Sequence, residues 1–179
     1  MAPPDSSAEE YQSREERLEV ARRYRERRGR ELRELAAAAT GGPVEAAGEF
    51  SSVPTEALAA IPGVGMLLLP FARRRARKLG LGPKLLLALD DQRLHALELR
   101  PADVRRDRDT ATSQASWPRA EVAIERGGRA FMRDRALLTV PDREGPIELF
   151  APTLITNPWS AEVVRLLGGE APDPLDLSD

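Results

Sequence analysis

The chain has no cysteine and a single histidine, His95. The first absence removes disulfides, thiolate nucleophiles, iron–sulfur ligation and thiolate zinc sites together, and the second removes histidine-rich metal sites. Lysine is scarce as well: of 27 basic residues only Lys78 and Lys84 are lysines. Arginine supplies nearly all the positive charge. With the richness in Ala and Pro this reads as compositional bias, which weakens any inference that a given arginine was selected for its forked geometry. A bilayer-spanning helix takes about 20 apolar residues, and the most apolar stretch, Ile61 to Ala72, is shorter and carries Pro62, Gly63, Gly65 and Pro70. The segment Met1 to Glu10 is polar and acidic rather than a basic region ahead of an apolar one, so no signal peptide is expected and the chain is read as cytoplasmic.

Catalytic signatures are also missing. There is no nucleophile elbow, Walker loop, dinucleotide-binding glycine motif or metalloprotease HExxH. The adjacent acids Asp90 and Asp91 would diverge to opposite faces of a strand. His95 lies between Leu94 and Ala96 and reads as a surface or half-buried strand residue rather than a base. No catalytic, cofactor-binding or metal residue is assigned, and the chain is expected not to be an enzyme.

What is present is 179 residues, 41% hydrophobic and 31% charged, enough for one core with a heavily solvated remainder. The net charge of -2 gives no reason to expect a nucleic-acid partner. Residues 1–8 are too poor in apolar side chains to order themselves. From residue 9 to 40 the chain is free of proline and dominated by Glu, Arg, Leu and Ala, which predicts a long charged helical arm ended by Gly41-Gly42-Pro43. Its apolar stripe is thin: Tyr11, Leu18, Ala21, Leu32 and Leu35 follow a near-heptad spacing that lapses at Arg25 and Arg28. The arm reads either as a solvated or weakly pairing helix, or as a contact for phosphates or anionic lipid through Arg22 to Arg30.

Residues 41–83 are expected to form a linker rich in Gly, Ala, Pro and Ser that contains an apolar segment running into Arg73, Arg74, Arg75, Arg77 and Lys78. One reading lays this segment against the domain with its basic end solvated. The other makes it an interfacial anchor, with Met66 to Leu69 and Phe71 in acyl chains and the five basic residues as an anionic-surface contact.

Residues 84–169 form the predicted domain. Leu85 to Leu89 and Leu94 to Leu99 are apolar runs around the polar break Asp90-Asp91-Gln92, a β-hairpin pattern. Arg100 to Ser116 reads as a polar loop of mixed charge. Strand patterns return from Trp117, with Val122 and Ile124 on one face, then, after an expected turn at Gly127-Gly128, at Ala130 to Val140, and at Ile147 to Phe150 beyond the turn sequence PDREGP. Asn157-Pro158 then supplies a helix cap, Trp159, Val163, Leu166 and Leu167 recur at helical spacing, and Gly168-Gly169 ends the helix. Trp117 and Trp159 read as core anchors. Residues 170–179 form an acidic tail with no expected order. The fold class is α+β: a bent antiparallel sheet or partly open barrel, preceded by a long helix and capped by a short one.

The opening hairpin LLLALDDQRLHALEL, the tryptophan-led SWPRAEVAI, the pair RALLTV and IELFAP across a turn, and the closing NPWSAEVVRLL together resemble the bacterial pleckstrin-homology-like (PH-like) superfamily, including its actinobacterial members. The resemblance runs from about Leu85 to Gly168. It implies a bent, partly open barrel that serves as a non-catalytic platform for lipid headgroups, peptides or proteins. Lipid-binding members carry a long basic first hairpin loop, whereas the turn here is short and acidic, and acids beside Arg93 and His95 repel an anionic headgroup. The expected role is therefore protein–protein interaction with an unidentified partner. Peripheral contact with an anionic membrane through residues 61–78 is the alternative.

Overall fold

The computed structural model describes residues 14–52, 80–104, 106–130, 133–151 and 157–169, together with positions 70, 74 and 78. The elements are α1 (Arg14–Thr40), β1 (Ala46–Ser51), β2 (Lys84–Leu89), β3 (Arg93–Arg100), β4 (Thr110–Pro118), β5 (Ala123–Ala130), β6 (Arg133–Thr139), β7 (Ile147–Ala151) and α2 (Pro158–Leu166), with a 3-10 turn at Arg119–Glu121. All seven strands join one antiparallel sheet in the order β4-β3-β2-β1-β7-β6-β5. The fold class is α+β, and the sheet is not closed into a barrel.

The connection from β4 to β5 dictates the shape of this sheet. These strands occupy opposite edges. In a flat sheet, six spacings of about 4.8 Å would hold them ~29 Å apart. The link from Pro118 to Ala123 reaches at most about 18 Å. The sheet must therefore curl, and its weakest pairing shows where: β1 and β7 share only the pair Ser51 and Phe150. Curling brings Trp117 of β4 into one apolar cluster with Leu138 and Ile147 from the far half. The Trp117 indole N–H donates to Asp142 Oδ1 at 2.7 Å, in the turn before β7.

Arg119 ties the β4–β5 link to the β2–β3 turn, to the start of β1 and to the end of α2. Its backbone N–H donates to Gln92 O at 2.7 Å. Its guanidinium donates to Glu45 Oε2 at 2.7 Å, to Asp90 O at 3.2 Å and to Leu166 O at 3.3 Å, the last a cation on the carbonyl end of α2.

The sheet has an apolar layer on each face. Leu85, Leu87 and Leu89 of β2 point into the concave core with Phe50, Leu94, Ile124, Leu149 and the α2 residues Val163 and Val164. Leu86 and Ala88 point the other way, into a second cluster with Ala47, Leu97, Leu99 and Trp159, where Leu32 and Ala36 of α1 cover them. α1 is thus only partly an arm. At 1.5 Å per residue it is about 40 Å long, and its described buried side chains, Leu32 and Ala36, lie in the C-terminal half.

Three further expectations are corrected. The stretch Gly41 to Pro54 was expected to be plain linker, yet it contains β1, which pairs with β2 from Ala46↔Leu89 to Ser51↔Lys84. Its residues AAGEFS carry weak strand propensity, and the small side chains are there for packing. A Cβ on Gly48 would stand 2.7 Å from Ser160 Cα and 3.0 Å from Trp159 O, so α2 crosses β1 at this glycine. The expected loop Arg100 to Ser116 holds most of β4, an edge strand whose polar, largely exposed residues hide its period. Gln114 is the bulge residue there, because Ala96 pairs with Ala115 and Leu97 with Ser113, and its Oε1 accepts from Gly82 N at 2.7 Å. The hairpin and the order β5 to β7 follow the expected pattern, but the turn expected at Gly127-Gly128 does not: both glycines lie within β5, at the register shift between Arg126 and Arg129, where the paired strands fall out of step. In α2, Asn157 Oδ1 accepts from Ser160 N at 3.2 Å with Pro158 at the first position, as the sequence predicts. The disorder expected for residues 1–8 and 170–179 lies outside the described residues.

Gly48→Ala should lower the free energy of unfolding by about 2 kcal/mol in urea titration, because backbone on both sides leaves no room for a methyl. Gly42→Ala, where a Cβ meets nothing within 4 Å, should not lower it.

Candidate interaction site

The helical propensity of α1 and the curl of the sheet bring three acids and one arginine together at the middle of the helix. Arg28 Nη2 donates to Glu49 Oε1 on β1. Its Nη1 lies 2.8 Å from Asp109 Oδ2, just before β4, and 3.5 Å from Glu31 Oε2. The Arg28, Glu49 and Asp109 side chains are each about one-fifth exposed. Burial works against the Arg28 charge, but Glu49 and then Asp109 more than offset it and hold its pKa above the usual arginine range. Burial likewise pushes the Asp109 carboxyl upward; the Ala102 N–H at 2.7 Å and the Arg28 guanidinium outweigh it, with Lys84 adding to them, and keep it below the ordinary carboxylate range. The lapse of the apolar stripe at Arg28 therefore marks the place where an ion pair, not a leucine, docks the helix.

Two hollows flank α1. One, of about 540 Å³, lies between the helix and the β3–β4 connection and is lined by Arg28, Glu31, Glu34, Leu35, Ala102, Asp107, Arg108 and Asp109. The other, of about 340 Å³, lies between α1 and α2 and is lined by Arg25, Glu26, Gly29, Arg33, Pro158, Trp159, Glu162 and Arg165. The first is acidic in balance and the second basic. The lapse at Arg25 is explained by the second: Arg25 faces the α2 flank.

Among the described residues, the α1 side chains ahead of Arg28 belong to neither buried cluster. Val20 and Tyr24 are 59% and 53% exposed, four residues apart and hence on one side. The arginines here are mostly neutralised: Arg22 pairs with Glu26 at 3.1 Å, Arg23 with Glu19 at 3.0 Å and Arg27 with Glu31 at 3.7 Å. Arg27 also stacks 5.9 Å from the Tyr24 ring centroid. A free cationic patch spanning Arg22 to Arg30 is not what the structure presents.

The anionic-surface residues fall largely outside the described part of the chain. Arg73, Arg75 and Arg77 are outside it, as are Met66 to Leu69 and Phe71. Arg74 and Lys78 are helical and exposed, one turn apart. In the hairpin, Asp90 Oδ1 accepts from Gln92 N at 2.8 Å and Arg93 N at 2.5 Å, while its Oδ2 meets His95 Nε2 at 2.9 Å. Burial would raise the Asp90 pKa, but His95 and then the two turn N–H groups outweigh it and hold it below its usual value. The histidine is thus committed to its own turn. Among the described residues no group of three or more His, Asp or Glu comes together to hold a metal, and no described helix is long and apolar enough to cross a membrane.

No protein-family model matches the chain, and no curated protein matches it.

Carboxyls held below their unfolded pKa stabilise the fold above that value, and the contribution is lost as pH falls through the folded one. Asp90 and Asp109 therefore weaken the protein as the pH drops below about 4, the unfolded value for aspartate. Arg28→Met should cost ~2–3 kcal/mol at pH 7, somewhat less than breaking a fully buried pair. It should also reduce the further loss between pH 5 and pH 2, since Asp109 no longer has its cation. Urea titrations of both proteins across that range measure both effects.

Proposed function

We propose that the chain is a non-enzymatic, PH-like binding module that acts through protein–protein contact, with the projecting half of α1 as its reading surface. The observation that carries this is a helix anchored at one end and presented at the other. Arg28, Leu32 and Ala36 hold the base on the sheet. Beyond them Val20 and Tyr24 stand exposed at i and i+4, the spacing with which a helix enters an apolar groove of a partner. A solvated helix of this length is marginal by itself, whereas one extended from a packed base is already oriented for capture and loses less freedom on binding. Both faces of the sheet centre are occupied, so the sheet serves as scaffold. The single histidine bound to Asp90 supports a non-catalytic role.

A second reading is favoured by one observation. Arg74 and Lys78 share a helical side and are exposed, as a polybasic contact with an anionic bilayer requires.

Full-length chain carrying Val20→Asp and Tyr24→Asp should keep the wild-type circular dichroism and melting curve yet lose the proteins that wild type retains in affinity capture. Identical captured sets from the two baits would contradict the reading. Arg74→Glu with Lys78→Glu separates the alternative: co-sedimentation with phosphatidylserine vesicles should be unchanged if contact is with protein, and reduced if the basic segment meets lipid.

A further inference from the structure

We propose that the cleft between α1 and α2 is a binding site for an acidic peptide segment, and that its occupant is this chain's own residues 170–179. Three arginines line it, Arg25 and Arg33 from α1 and Arg165 from α2. The Arg33 contact with Glu162 is long, at 3.9 Å. Glu26, the other acid of the cleft, is engaged by Arg22 at 3.1 Å. Arg25 and Arg165 make no ion pair among the described residues. Gly29, Pro158 and Trp159 also line it, and the buried Trp159 indole N–H has no acceptor among the described residues.

The occupant is argued from charge, position and reach. Residues 170–179 carry four carboxylates, Glu170, Asp173, Asp176 and Asp179, and no cation, with Leu175 and Leu177 between them. The segment follows the helix that forms one wall of the cleft. α2 is closed by a Schellman motif, in which Gly168 N–H donates to Arg165 O and Gly169 N–H to Val164 O, with Gly168 at φ +83°. From Gly169, ten residues reach up to about 35 Å, against about 14 Å for the whole length of α2. Exposed Arg–carboxylate pairs are individually weak and salt-screened. Tethering supplies the rest, since a short linker holds the segment at an effective concentration on the order of 1 mM. Occupation is therefore partial, reversible and sensitive to ionic strength, and a stronger acidic segment from a partner would compete for the same groups. This inference is independent of what the projecting half of α1 binds.

The chain contains two tryptophans, which gives two indole N–H signals in an ¹⁵N–¹H correlation spectrum. Trp159 lines the cleft, and Trp117, bonded to Asp142, is the internal reference. A full-length variant carrying Glu170→Gln, Asp173→Asn, Asp176→Asn and Asp179→Asn removes the segment's charge without altering the described fold. At about 20 mM salt, where screening is weak, its Trp159 signal should differ from that of wild type while Trp117 coincides. Raising salt to about 0.5 M should carry the wild-type signal toward the variant position. Arg25→Glu with Arg165→Glu should do the same, and a synthetic peptide of residues 170–179 added to the neutralised variant should restore the wild-type position. Coincident Trp159 signals in wild type and neutralised variant at low salt would overturn the proposal. If they coincide while the peptide still shifts Trp159, the cleft takes its acidic segment from another molecule and the intramolecular assignment is overturned. If the peptide has no effect, the site itself is overturned.

Discussion

β2 is apolar on both sides, and a strand of that kind is stable only when each side is covered. Leu85, Leu87 and Leu89 find cover in the concavity of the curled sheet, closed by α2. Leu86 and Ala88 depend on Leu32 and Ala36 of α1. Fully burying a leucine contributes about 1.5–3 kcal/mol, so leaving the second face wet would remove a large part of a typical domain's margin of 5–15 kcal/mol. The long helix is therefore structural over its C-terminal half, whereas Val20 and Tyr24 of its N-terminal half stand exposed. Arg28 stands at the changeover. Apolar contact ends there, and an ion pair to Glu49 and Asp109 fixes both the position of the helix along the sheet and its rotation.

The same constraint governs where binding surfaces can form. With both faces of the sheet centre occupied, two hollows lined by described residues lie along the flanks of α1: an acidic one beside the β3–β4 connection and a basic one beside α2. The first hairpin is tied into a closed unit by Asp90 and His95.

Much of this was legible in the residues, and the exceptions have physical causes. The alternation around Ile124, the glycines that end the two helices, and the Asn157-Pro158 cap all act locally, so spacing reveals them. β1 was hidden because Ala46, Ala47 and Gly48 were selected by the close passage of α2, a tertiary demand with no local signature. β4 was hidden because an exposed edge strand need not alternate. The continuous run KLLLAL did hold the key: a strand without a polar face announces two covering layers, and reading it as one half of a hairpin left the second layer unassigned. At the site, the interruptions at Arg25 and Arg28 were visible as defects in a stripe. The partners of Arg28, Glu49 and Asp109, lie more than twenty and eighty residues further along, and only the tertiary fold brings them near.

Native-state hydrogen exchange along α1 tests the account most directly, because it reads the two halves of one helix separately. Amides from Leu32 to Ala39 should exchange only through global unfolding, at the same free energy as those of β2. Amides from Val20 to Arg27 should exchange at least ~100-fold faster, through local fraying. Uniformly fast exchange along the whole helix would show that α1 does not cover β2, and would contradict the two-layer arrangement on which the rest depends.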